Sequence, residues 1–156
     1  GGYWSGFDYQ FGVNFRLKGE ISMIPLISIY AGGALTLLMA LFHTRFYRMF
    51  NWKTEFENIS TLNSKIIYTI HQALLFLFII IGLISLIHAK ELSRSYGLAA
   101  GFNLFLSLFW LWRLVWQLVY FKREKGKKQQ RMVVFLIIVF ALLFVSYLIP
   151  LIYRIL

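Results

Sequence analysis

Five side chains have types and positions that could do chemistry: His43, His71, Trp110, Arg113 and Gln117. Each stands inside or at the border of a long apolar run, where a polar or ionisable group needs a partner. Neutral imidazoles on two facing helices at similar depth could serve as axial ligands to the iron of a haem b, with His43 and His71 on the metal and Arg113 pairing its propionates. The same set suits a quinone carbonyl or an anionic lipid headgroup, and Trp110 could pack a flat ligand. Interfacial histidines satisfied by nearby backbone, a snorkelling arginine and tryptophans packed on neighbouring helices are the plain alternatives. Arg113 lies about two turns from the end of its run, and leaving its guanidinium in lipid costs about 2.5 kcal/mol on insertion scales. No spanning run carries an acidic residue in its core. A carboxylate for Arg113 would therefore come from Glu55 or Glu57, or from another molecule. His88 stands about 25 Å along the helix from His71 at 1.5 Å per residue, so those two cannot share a metal.

The elements that must position these residues are four apolar runs, 21–43, 66–89, 97–121 and 132–153. A helix needs roughly 20 apolar residues to cross a hydrocarbon core, and each run reaches that length. Lipid leaves unpaired backbone groups unsatisfied, which excludes isolated strands, and the runs lack the alternation of barrel strands. A soluble bundle would keep a polar face on each helix, and these runs do not. The expected fold is all-α: a four-helix transmembrane bundle over 21–156, preceded by a strand-like or interfacial tail over 1–20.

Basic residues orient the bundle. The connection from Thr44 to Lys65 carries Arg45, Arg48, Lys53 and Lys65, and the turn from Lys122 to Arg131 carries Lys122, Arg123, Lys125, Lys127, Lys128 and Arg131. The positive-inside rule puts both on the cytoplasmic side and both termini outside, as in a bacterial inner membrane. The net charge of +10 sits mainly at membrane borders, where contact with anionic lipid accounts for it without nucleic acid. The chain has no cysteine, which excludes disulfides, thiol catalysis and sites built on its own thiolates.

Phe7, Tyr9, Phe11, Val13, Phe15 and Leu17 alternate with polar residues, the period of a strand. Such a strand would pair with a partner's sheet edge or a second copy, or lie in the headgroups as an interfacial tail. A start on Gly1-Gly2 without Met reads as a processed, tagged or incompletely traced end. In the first run Ser28, Gly32, Thr36 and His43 share a face, as do His71, Gly82, Ser85 and Ala89 in the second. The third carries Asn103, Ser107, Trp110, Arg113, Gln117 and Tyr120 as one stripe. Its Gly97 and Gly101 form a GxxxG pair expected to draw in a neighbouring backbone. The fourth offers only Ser146, Tyr147 and Pro150, and is expected to face lipid or a partner. Residues 46–52 alternate bulky and basic side chains, the pattern of a short surface-lying segment, with Asn63 or Ser64 expected to open the next helix.

The run from His43 through Phe56, then Leu62-Asn63, His71, Phe109-Trp110, Arg113, Gln117 and Tyr120, resembles a family of small bacterial four-helix membrane proteins without an assigned activity, over roughly residues 36–121. Similar proteins tend to show Pro-Arg after the histidine, where this chain has Phe46-Tyr47-Arg48. The resemblance implies fold and membrane location and no reaction. Two functions follow as expectations. The first is a non-catalytic accessory or structural subunit of a larger membrane complex or a homo-oligomer, docking by its helices and N-terminal segment. The second is a small haem- or quinone-binding membrane protein with its site at His43, His71, Trp110, Arg113 and Gln117. A transporter would need an acidic residue or a broken helix pair in the spans, and a hydrolase a nucleophile, base and carboxylate at one depth.

Overall fold

The computed structural model describes residues 23–121 and 127–156. The strand-like segment and the rest of the tail over 1–20 lie outside the described residues. Four long helices dominate: α1 (Met23–His43), α4 (Thr61–Ile87), α6 (Leu98–Tyr120) and α7 (Lys127–Ile155). All four are long and apolar enough to cross a membrane. The protein is an all-α four-helix bundle, and its hydropathy is that of an integral membrane protein. Short helices fill the connections: α2 (Phe46–Met49), α3 (Trp52–Glu55) and a 3-10 turn (Phe56–Asn58) join α1 to α4, and α5 (Ala89–Arg94) joins α4 to α6.

The helix limits follow local chemistry. Ser60, three residues ahead of Asn63, caps α4 by accepting the Asn63 backbone N–H on its hydroxyl at 3.3 Å. The helix thus starts earlier than apolar composition alone suggests, because polar helix formers at an interface extend a span without lengthening its apolar run. Asn51 turns the chain between α2 and α3 at φ 48°, a left-handed geometry that asparagine tolerates. At the far end Ser95 (φ 54°) and Gly97 (φ 52°) close α5 and open α6. The Asn103 side-chain amide donates to the Leu92 carbonyl at 2.8 Å and to Ser95 Oγ at 3.1 Å, holding that turn together.

The packing order is α4 against α1, α1 against α7 and α7 against α6, with α5 tucked across α1, α6 and α7 at one end. α4 and α6, consecutive among the long helices, scarcely approach each other. The small residues that permit close contact lie on α1 and α4. A methyl on Gly82 would stand 2.6 Å from Leu37 Cγ, and one on Gly33 would stand 2.9 Å from Leu86 Cδ2. The expected role of Gly97 and Gly101 is not found among the described residues: a Cβ on either meets none of them within 4 Å. Gly97 instead serves the turn, since its positive φ penalises any other residue.

α7 also differs from expectation. Val139, Phe140, Leu143, Ser146, Tyr147 and Pro150 are buried, so this helix forms one wall of the core, while α4 buries only Phe78, Gly82 and Ser85 and is the most lipid-exposed of the four. The Tyr147 hydroxyl joins three helices, lying 2.8 Å from Ser85 Oγ and 3.5 Å from Thr36 Oγ1. Thr36 also donates to the Gly32 carbonyl at 2.7 Å. A phenol deep among apolar residues has no water to turn to, and a serine and a threonine from two other helices replace it.

Candidate functional site

α1 and α4 bring His43 and His71 together at the end of the bundle that carries the 44–60 connection. The His43 Nδ1–H donates to the Met39 carbonyl at 2.7 Å, a bond one turn back along its own helix. The His71 Nε2–H donates to the His43 carbonyl at 3.0 Å, satisfying a backbone group that the end of α1 leaves open. These acceptors settle the neutral tautomers: the unprotonated nitrogen is Nε2 in His43 and Nδ1 in His71.

The two rings lie face to face, with centroids 5.6 Å apart and planes 24° from parallel. Phe46 from α2 stacks on both, at 4.3 Å from His43 and 5.4 Å from His71, and Trp52 from α3 meets His71 edge-on at 4.9 Å. Axial haem ligands direct their nitrogens at one another across the iron. In this arrangement the His71 Nε2 is spent on a carbonyl and the rings are parallel plates, so the pair does not have that form. What the histidines do here is lock the α2–α3 connection onto the ends of α1 and α4.

From His43 a chain of rings crosses the bundle. Phe78 meets His43 edge-on at 5.0 Å and stacks on Trp110 at 5.6 Å, and Trp110 stacks on Phe140 at 5.8 Å. The Arg113 guanidinium lies over the far side of this run, its Cζ 4.9 Å from the Phe140 ring centroid and 6.0 Å from that of Trp112. The five residues singled out from sequence therefore belong to one end of one bundle, with Phe78 and Phe140 as the links. Neither phenylalanine carried a signal of its own, since each was one apolar residue in an apolar run.

Among the described residues, the polar groups around Arg113 find few partners. The guanidinium is partly buried and makes neither a hydrogen bond nor an ion pair with any described residue. The phenylalanine face beneath it provides a cation–π contact, and that does not neutralise the charge. Trp110 is fully buried and its indole Nε1–H has no acceptor among the described residues. Gln117, one turn below Arg113 on the same side of α6, is 2% exposed and makes no side-chain hydrogen bond within the described set. Glu55 and Glu57 are exposed on the connection and pair with no described cation. Among the described residues no group of three histidines or carboxylates could hold a metal. Tyr120, the last member of the α6 stripe, is 69% exposed and stacks on Trp116 at 5.3 Å, which places it in a lipid-facing aromatic row with Phe105, Phe109 and Trp112.

Comparison with known proteins yields no matching family model, no matching curated protein and no matching solved structure.

Proposed function

We propose that this protein is a small integral membrane protein that binds an amphiphile whose head offers hydrogen-bond acceptors, at the end of the bundle formed by Trp110, Arg113 and Gln117. The reading assigns binding rather than turnover. The observation that carries it is the Arg113 guanidinium, held about two turns inside a spanning helix with no carboxylate from any described residue beside it. A guanidinium in that position binds acceptors wherever it finds them, and its planar fork suits a carboxylate, a phosphate or a pair of carbonyls. His43 and His71 act as structural supports that fix the connection below the site. The basic connection and Arg131 share this end of the bundle, and by the positive-inside rule that end faces the cytoplasm of a bacterial inner membrane, with both termini outside.

One observation favours a second reading, the accessory subunit of a larger complex. Gln72 is exposed on α4, one residue past His71, and its amide meets no described hydrogen-bond partner. A helix from another subunit would satisfy that amide. Native mass spectrometry on the chain extracted gently from its own membrane tests both. One amphiphile retained per chain supports the first reading. Distinct heavier subunits without retained ligand replace it with the second, and a bare chain refutes both.

A further inference from the structure

Of the four long helices α4 is the least buried, and its exposed side carries a polar group well inside the apolar run. Lys65, Tyr68, Gln72, Phe76, Ile79 and Leu83 recur every three or four residues along it, so they form one stripe, and all six are exposed. Gln72 stands six residues, or about 120° around the helix, from Phe78, which stacks on Trp110. The stripe lies beside, not among, the residues that α4 buries inside the chain, Phe78, Gly82 and Ser85.

The polar side chains on this side of α4 differ in what they can reach. Lys65 stands at the headgroup border, with Tyr68 one turn inside it, where a phenol can keep its hydroxyl near water. Thr69 is satisfied by its own helix, its hydroxyl donating to the Lys65 carbonyl at 2.8 Å. Gln72 lies six residues past Ile66, the first residue of the apolar run, or about 9 Å deeper at 1.5 Å per residue. A glutamine side chain is too short to return its amide to the headgroups over that distance, and the amide makes no hydrogen bond with any described residue. Lipid tails offer it neither donor nor acceptor, so its partner is a polar group of protein at the same depth.

The chemistry of an amide selects that partner. Copies of this chain inserted by the same charge rule share one orientation, so a two-fold axis along the membrane normal sets two α4 helices parallel, each residue facing its own equivalent at equal depth. A lone donor or a lone charge would be repelled by its equivalent. An amide carries donor and acceptor together, and two of them exchange a pair of hydrogen bonds across the axis. A foreign helix would have to bring a matching group to the same depth, whereas a second copy brings it by symmetry. At the border, Lys65 and Glu57, which lies on the turn leading into α4, are both exposed and form no ion pair with any described residue, so each copy offers the other one cation and one carboxylate. We propose that the α4 stripe from Lys65 to Leu83 docks a second copy of this chain, with Gln72 of one copy paired to Gln72 of the other in the hydrocarbon region. This surface is separate from the Trp110, Arg113 and Gln117 end, and the dimer does not depend on an amphiphile there.

Because the chain has no cysteine, single introduced thiols report the contact position by position. Ile79→Cys and Leu83→Cys put a thiol on the stripe, while Leu77→Cys and Ile84→Cys put one at exposed α4 positions off it. In membranes containing the full chain, mild oxidation is expected to link the first two variants into covalent dimers and to leave the second two mostly monomeric. Energy transfer between donor-labelled and acceptor-labelled chains, followed as they are diluted with lipid, reads the dimerisation constant. Gln72→Leu should weaken it about tenfold, as loss of two hydrogen bonds between membrane helices implies, and Gln72→Asn, which keeps an amide, should retain part of the affinity. Equal cross-linking at all four positions would mark random collision and overturn the proposal, as would a dimerisation constant that Gln72→Leu does not move. Chains that stay monomeric at every dilution would overturn it too. A different subunit that co-purifies from the native membrane and is lost in Gln72→Leu would replace the second copy with a foreign helix, which is the accessory-subunit reading. None of these outcomes bears on ligand retention at Arg113, so the dimer and the amphiphile-binding reading fail separately.

Discussion

Replacing Gly82 by alanine puts a methyl group where the α1–α4 interface has no room for one. The new Cβ would lie 2.6 Å from Leu37 Cγ, 2.7 Å from Leu37 Cδ2 and 3.2 Å from the Gly33 carbonyl oxygen. Carbon atoms in good contact sit about 3.5–4.0 Å apart. Because the branch carbon of Leu37 is itself too close, turning its terminal methyls does not relieve the clash. The whole side chain must change rotamer or the helices must part, and the Gly33 carbonyl belongs to backbone that cannot step aside alone. Overpacking of this kind costs about 1–3 kcal/mol, against about 0.5–1 kcal/mol gained by alanine over glycine in a helix. The net loss expected is about 0–2.5 kcal/mol, with a central value of about 1 kcal/mol. Gly101→Ala is the matched control, since no described residue lies within 4 Å of its Cβ and the helix-propensity gain of about 0.5–1 kcal/mol applies. Reversible unfolding in mixed micelles, followed by tryptophan fluorescence as denaturing detergent is titrated, reads both variants against the parent. A Gly82→Ala protein more stable than the parent, or a Gly101→Ala protein less stable than Gly82→Ala, would refute the assignment of the close approach to α1 and α4.

Two further outcomes follow from the buried polar groups. Tyr147→Phe removes the hydroxyl that meets Ser85 and Thr36, and should cost about 0.6 kcal/mol and at most about 1.7 kcal/mol, the mean and the maximum found for hydrogen bonds between membrane helices. Adding Ser85→Ala should then cost less than it does in the parent, and strict additivity in the double-mutant cycle would argue that the two groups act separately. Asn103→Ala takes the donor from the Leu92 carbonyl and from Ser95, whose positive φ it helps to hold, at a cost of about 1–2 kcal/mol. Hydrogen exchange should accelerate at residues 92–97 and stay unchanged around His71, and equal protection at 92–97 in Asn103→Ala and the parent would count against the role given to Asn103.

Four helices long and apolar enough to cross a membrane are legible in the sequence, because spanning depends on the length and apolarity of a single continuous segment, although the second and fourth begin at Thr61 and Lys127, ahead of their apolar runs. The sequence by itself also singled out the inward faces that carry polar side chains. Ser28, Gly32, Thr36 and His43 on α1, and Asn103, Ser107, Trp110 and Gln117 on α6, are all buried, since a polar group in lipid is driven toward protein wherever the helix places it. Only the tertiary structure decided which apolar residues face inward. On α7, Phe140 and Leu143 are core while Leu142 and Val145 are exposed, and nothing in their chemistry separates them, because lipid tails and a protein interior are equally apolar surroundings. The same limit hid Phe78 and Phe140, the rings that link the histidines to Arg113. Glycine spacing misled for a related reason: GxxxG on α6 can admit a neighbour, yet a close approach also needs a helix opposite, and the fold presented Gly82 to Leu37 and Gly33 while leaving Gly101 open. The partnering of His71 with the end of α1 was likewise set by the meeting of two helix ends, a relation between segments that no single segment contains.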